Sequence, residues 1–375
     1  AGNPAAAREH FLAALARIDT HRDDVVVDRD DLELLHNGLG NAAMQQGQLE
    51  IAAHEFELTH ALLSARLGAD HPNAIRAQTQ MASIARMQGD AERACALLEG
   101  GLAMLEAAPT RSLPTTGEVL VNLAVCELDL GREAAALEHL RRAESLLMRS
   151  DGAAGPMLAK VLALRGDALI GAGRSDEAVG VLARALASYD ELYAEPHHAR
   201  AEVASNLGTA WNELGNHDEA ARWQLRAVDE LIGALGREHP DLAFLLTSLS
   251  QTRALQGRHD QALELAREAV TIAPPPLQPF ARARVGEELA ATGALDDGVA
   301  WMQQALAGFA GVDMDPALVA GIELSLAEAQ WSRGRHDDAR AAAERALAGF
   351  ERTEDAARAE TTRTWLGEHT AARPR

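Results

Sequence analysis

The chain is expected to be all-α, a solenoid of stacked antiparallel helix pairs, and three observations carry that expectation. Glycines stand at Gly47, Gly89, Gly131, Gly173, Gly215 and Gly257, each 42 residues after the last, and the series continues at Gly293 and Gly334 after 36 and 41. Small residues keep step with them: Gly40, Ala82, Ala124, Gly166, Gly208, Ser250, Gly286 and Ala327 seven residues upstream, and Ala52, Ala94, Ala136, Ala178, Ala220, Ala262, Gly298 and Ala339 five downstream. Of the 375 residues 47% are hydrophobic and only 3% aromatic. The apolar content is mostly Ala and Leu, which favours helices that pack closely through small side chains.

One unit shows how each element arises. In Glu202–Pro240, Val203, Leu207, Trp211 and Leu214 recur at helical spacing and predict a first helix. Gly215 ends it, because a left-handed residue is cheap only without a Cβ. Ala220, Trp223, Ala227 and Leu231 give the packing side of a second helix, which Gly236 closes. Pro240 suits the first turn of the next helix. The residue before each upstream small position is apolar in seven units (Leu39, Met81, Leu123, Leu207, Leu249, Val285 and Leu326), with Arg165 the exception. Trp211 and Trp223 are expected to wedge between neighbouring units.

The same frame extends to both ends. Gly2, Ala7, Phe11 and Ala14 repeat the spacing of Gly47, Ala52, Phe56 and Thr59, so residues 4–18 read as the second helix of a truncated earlier unit. The organisation expected is residues 1–30 as that helix plus a linker containing HRDDVVVDRDD, 31–353 as eight helix hairpins, and 354–375 as a capping helix and tail. Trp365-Leu366-Gly367 sits where a ninth first helix would begin. Pro109–Pro114, Asp151–Pro156 and Pro274–Pro279 are proline- or glycine-rich turns between units. The last precedes the shortened interval, where a local change of rise or twist is expected.

The repeat resembles the tetratricopeptide repeat family: Gly208, Ala220 and Ala227 and their equivalents match its small positions, and Trp211 its first-helix aromatic. The 42-residue period, with Asp70-His71-Pro72 and Glu238-His239-Pro240 leading into the next hairpin, is similar to the kinesin-light-chain subtype. That resemblance implies a right-handed superhelix whose first helices line a concave, polypeptide-binding side. It further implies the regulatory region of a larger bacterial signalling protein such as a serine/threonine kinase, although no kinase glycine loop or full kinase catalytic-loop motif is present. The opening Ala1-Gly2-Asn3-Pro4, lying within a unit, likewise suggests a piece of a longer chain.

Composition narrows the partner. Acidic residues outnumber Lys and Arg by 56 to 35, a formal charge of −21, which weighs against nucleic acid and anionic membrane. No apolar run is long enough to span a bilayer, and no signal peptide is apparent. Cys95 and Cys126 fall inside predicted helices and are expected to be reduced core thiols of a cytoplasmic protein.

Catalytic chemistry finds no motif. His217, His259 and His336 share one slot, two residues beyond the interhelical glycine, and are expected to pack rather than bind metal. His197-His198 lies in a linker, with no HExxH or paired CxxC to complete a zinc site. Glu287-Glu288 and Asp296-Asp297 are expected on a solvated face, since adjacent acids on a helix diverge. No enzyme, cofactor or metal is therefore expected.

What remains is the exposed face of the first helices. The expected partner-binding residues are Asn37, Asn41, Arg76, Arg86, Asn122, Ser205, Asn206, Thr209, Asn212 and Gln251. Gln45, Thr79, Ser83, Asp129, Lys160, Asp167 and Thr247 share the face. Asn and Arg can hold a partner's backbone and carboxylates without demanding one sequence. Asn206 ranks first, because an asparagine before Leu-Gly resembles a peptide-holding position of the kinesin-light-chain-like repeats; Asn122 matches it, while Gly38, Gln80 and Leu164 depart. The expected function is a non-enzymatic module binding a protein or peptide. The competing expectation is a sensor that encloses a small signal peptide.

Overall fold

The structure, a computed structural model, describes residues 4–20, 29–108, 112–149, 155–309, 314–353 and 355–369. All regular structure among them is helical. The linker segment 21–28, Gly2, residues 109–111 and 151–154 of the interunit turns, and the tail from 370 lie outside the described residues.

The chain divides into two compact units, Ala1–Leu192 and Tyr193–Arg375. The first contains α1 (Pro4–Thr20), then the pairs α2 (Arg29–Gln45) with α3 (Leu49–Leu67), α4 (Pro72–Met87) with α5 (Ala91–Ala107), α6 (Leu113–Asp129) with α7 (Glu133–Met148), and α8 (Gly155–Gly171) with α9 (Ser175–Leu192). The second contains α10 (His198–Glu213) with α11 (His217–Leu235), α12 (Asp241–Leu255) with α13 (His259–Ile272), α14 (Gln278–Ala291) with α15 (Leu295–Gly308), α16 (Pro316–Ser332) with α17 (His336–Arg352), and the closing helix α18 (Ala356–Glu368).

Every pair turns in the same way. Gly215 has φ +75°, and the other seven interhelical glycines are also left-handed, from +65° at Gly131 to +90° at Gly293. Around Gly215 the N–H of Asn216 donates to Trp211 C=O at 2.9 Å and that of Gly215 to Asn212 C=O at 2.9 Å. This reciprocal closure satisfies carbonyls that the end of α10 would otherwise orphan. Gly68 and Gly236, both left-handed, close α3 and α11.

The small positions sit where the two backbones of a hairpin meet. A Cβ on Gly286 of α14 would lie 2.8 Å from Gly298 C=O and 2.9 Å from Met302 N, both backbone atoms of α15. Ala52, Ala136, Ala178, Ala220, Ala262 and Ala339 are fully buried on the facing helices. At Ser250 the hydroxyl is accommodated because it donates to Ala262 C=O at 2.7 Å. Trp211 and Trp223 are both half-buried, Trp223 against the cluster formed by Leu231, Leu242 and Leu246.

Within each unit the first helices form the inner layer: α4 touches α6 and α6 touches α8, as α12 touches α14 and α14 touches α16. Second helices of successive hairpins make no comparable contact among the described residues. The proline-rich turn falls inside the second unit. There Leu277 N–H and Gln278 N–H both reach back to Pro274 C=O, and α13 and α14 are 14 residues each against 19 in α11 and 15 in α12. Shorter helices absorb the missing residues and the turn glycines stay in register.

Candidate binding face on the first helices

The inner face of the second unit carries two adjoining cavities. One, of about 260 Å³, is lined by Ser205 and Asn206 of α10, Leu231 of α11, and Asp241, Phe244 and Leu245 of α12. The other, of about 510 Å³, is lined by Thr209 of α10, Phe244, Thr247 and Gln251 of α12, Leu277, Phe280 and Ala281 around the start of α14, and Leu318 of α16. Phe244 forms a wall of both and is 63% exposed; Leu318 is 46% exposed. Isolated exposed apolar residues are ordinary, but several converging on one groove mark a contact surface.

Four expected residues are thus gathered here: Ser205, Asn206, Thr209 and Gln251. Their polar groups differ in availability. Ser205 is buried, and its backbone carbonyl accepts from Thr209 Oγ1 at 3.3 Å. The side chains of Asn206 and Gln251 have no hydrogen-bond partner among the described residues. Asn212 is engaged elsewhere: Nδ2 donates to Thr252 Oγ1 at 2.6 Å, and Oδ1 lies 3.0 Å from His217 Nδ1.

In the first unit Asn37 and Arg76 line a separate cavity of about 360 Å³ with Glu33, Leu34, Asn73 and Gln80. Arg76 Nε reaches Glu118 at 3.2 Å and Arg86 Nη1 reaches Asp129 at 3.1 Å, both tying α4 to α6. Asn41 and Asn122 return their amides to the carbonyls of Asn37 and Glu118, four residues back in their own helices, at 2.9 Å each. These side chains serve the array as well as facing solvent.

Two histidines of the shared slot are hydrogen-bonded and the third packs on a ring. His217 meets Asn212, His259 Nδ1 lies 2.9 Å from Glu288 Oε2, and His336 stacks on Trp331 with ring centroids 4.0 Å apart. Glu288 departs from the expected solvated face. It is 1% exposed and held by His259 and Arg284, which offset the cost of burying a carboxylate. Asp296 and Asp297 are exposed as expected, Asp296 against Arg333 at 2.5 Å.

Glu287 and Glu328 occupy the same repeat position as Thr209 and Gln251, six residues before the turn glycine. Glu287 pairs with Arg284 Nη1 at 2.7 Å and accepts from Ser325 Oγ at 3.1 Å. Burial pushes both carboxyls above their ordinary range; Arg284 and Ser325 oppose the shift at Glu287, and the Glu287 charge adds to it at Glu328. No group of His, Cys, Asp and Glu suited to a metal ion occurs among the described residues, and no helix of theirs is long and apolar enough to cross a membrane.

Phe244, Leu277, Phe280 and Leu318 were not among the expected contacts. A signal existed in the register. Thirteen residues before the turn glycine stand Arg76, Glu118, Lys160 and Glu202 in four successive units, and then Phe244 and Phe280. A bulky ring in a slot that is charged in the four preceding units, in a chain with so few rings, marks a departure from pure packing.

Stacked helix pairs with a grooved inner layer define an α-solenoid of the protein-interaction class. The chain contains tetratricopeptide repeats: residues 115–191 and 199–274 match the tetratricopeptide repeat family, and 322–345 match a second form of the same repeat. No curated protein matches this sequence. Among solved structures, the apo form of the quorum sensor NprR from B. thuringiensis is 11% identical, with a TM-score of 0.65 over 92% of this chain and 98% of that one. The apo form of RapI is 14% identical, with a TM-score of 0.62 over 75% of this chain and 99% of that one. The signal transduction ATPase with numerous domains from Pyrococcus horikoshii, described as carrying a tetratricopeptide repeat sensor, is 14% identical at a TM-score of 0.59; the match covers 96% of this chain and 55% of that one. At these identities the likeness is one of fold.

Proposed function

We propose that the chain is a non-enzymatic binding module that holds a polypeptide segment on the first-helix face of its second unit. The observation that carries the reading is the groove around Phe244, where exposed apolar side chains stand beside the unengaged amides of Asn206 and Gln251. Apolar side chains supply contact area there. The amides can hydrogen-bond a partner's backbone, whatever its sequence. The fold supports the same reading, since one similar structure is named a quorum sensor and another a signal transduction ATPase with a tetratricopeptide repeat sensor. On that analogy this array is the recognition part of a signalling protein, with the catalytic work done by another domain.

The test is capture of partners from the source cell by the full chain, repeated with Asn206→Ala and Gln251→Ala combined. Loss of a specific polypeptide partner is the expected result. A partner retained at unchanged affinity by that variant and by Phe244→Ala would place binding elsewhere and overturn the assignment.

A further inference from the structure

The groove is chemically lopsided in a way that selects its occupant. Its apolar part lies at the N-terminal ends of α12, α14 and α16, where Phe244, Leu277, Phe280 and Leu318 meet. Seven residues further along α14, and ten along α16, stand Glu287 and Glu328. The other cavity is lined by Glu202 and Asp241, the latter 3.6 Å from His239. The guanidinium on this face of α14, Arg284, is already held by Glu287 and Glu288.

Glu328 has no ion-pair partner among the described residues; Ser325, three residues before it on α16, donates to Glu287 at 3.1 Å, which brings the two carboxylates close enough to repel, a repulsion that His369 opposes at Glu328. A cation arriving with a ligand would relieve that repulsion. An anionic segment would have to work against it, on a chain of formal charge −21.

We propose that the groove receives a polypeptide segment with a bulky apolar side chain and, about 10 Å away, an Arg or Lys, the spacing being seven helical residues at 1.5 Å each. The apolar side chain enters between Phe244, Phe280 and Leu318, and the cation meets Glu287 and Glu328. In an extended ligand, about 10 Å is roughly three residues. This deepens the polypeptide-binding reading and rests on it: the groove gives the contact, and the two carboxylates give the sign of charge.

Selection of a phage-displayed random dodecapeptide pool on the immobilised full chain tests both. Each enriched pool is then passed over Phe244→Ala and over the double variant Glu287→Gln/Glu328→Gln, with helical content checked by circular dichroism. The expected pool combines a bulky apolar residue with Arg or Lys, is retained at least about tenfold less by each variant, and binds more weakly as salt rises. A pool lost on Phe244→Ala but free of basic residues, or indifferent to the glutamine pair and to salt, overturns the charge assignment and leaves the groove standing. Should no pool depend on Phe244, both readings fall. If the glutamine pair fails to fold, pool composition and salt dependence on the unaltered chain still decide the matter.

Discussion

Asn212 Nδ2 donates to Thr252 Oγ1 at 2.6 Å, a bond from α10 to α12 that joins one hairpin to the next. Thr252 in turn donates to Ser248 C=O at 3.2 Å, and Asn212 Oδ1 faces His217 at the start of α11. The asparagine therefore serves three helices at once. Asn206, two turns earlier on the same helix, serves none of them through its side chain.

The two asparagines should consequently separate in experiment. Asn212→Ala removes hydrogen bonds from buried Thr252 and half-buried His217 and is expected to cost about 1–2 kcal/mol of stability. Asn206→Ala should stay within about 0.5 kcal/mol of the unaltered chain while weakening partner capture. Urea unfolding followed by circular dichroism reads the first effect. An unfolding midpoint unmoved by Asn212→Ala would mean that the network contributes nothing.

Glycines divide in a similar way. Gly286→Ala forces a methyl group against Gly298 C=O and Met302 N, and backbone cannot yield as a side-chain tip can. The expected cost is about 1–3 kcal/mol. Gly180, exposed within α9 with open space where its Cβ would go, should respond oppositely. Gly180→Ala is expected to stabilise by about 0.5–1 kcal/mol through helix propensity. Two variants shifting the melting temperature in the same direction would contradict the close-approach account.

The turns and close approaches were legible because each makes a local demand that one residue type meets. Gly215 must be left-handed, and Gly286 must lack a side chain, whatever lies farther off. The fate of polar residues was less legible, since it depends on distant partners. Glu288 looks solvated beside Glu287 until His259 is brought against it from 29 residues away. Asn212 looks like a surface amide until Thr252, 40 residues on, arrives one repeat later. Phe244 failed to stand out for the opposite reason. An apolar residue near a helix start is indistinguishable from core until its neighbours are seen to leave it uncovered.

The two cysteines should behave as inert thiols. Cys95 and Cys126 are buried and unpaired by disulfide, and Cys126 Sγ donates to Ala91 C=O at 2.9 Å. Burial raises both thiols, with Cys126 pushed up to about 12, so almost no thiolate exists at neutral pH. Reaction with a chromogenic disulfide reagent should be negligible in the native chain and reach two thiols in denaturant. Rapid native labelling at neutral pH would show the α5–α6 interface to be open.

His197 provides a pH dependence whose sign can be worked out. Its Nδ1 accepts from Ala199 N–H at 3.2 Å, capping α10, and the ring stacks on Tyr193 with centroids 3.8 Å apart. Only an unprotonated Nδ1 can accept that bond. Burial lowers its pKa below the ordinary 6.5, and the charges of His198 and Arg200 push the same way, against Glu230. The folded chain thus binds fewer protons at this site than the unfolded one, so stability rises with pH across the interval between the two values. The contribution is complete above about 6.5, the unfolded value, and is lost as pH falls through 6.5 toward the lower folded value. His197→Asn keeps an N-cap acceptor but does not titrate. Comparing melting temperatures from roughly pH 5.5 to 7.5 should show the unaltered chain losing more stability on acidification than the variant. Parallel curves would mean that His197 is not coupled to folding. A steeper fall in the variant would reverse the assigned sign.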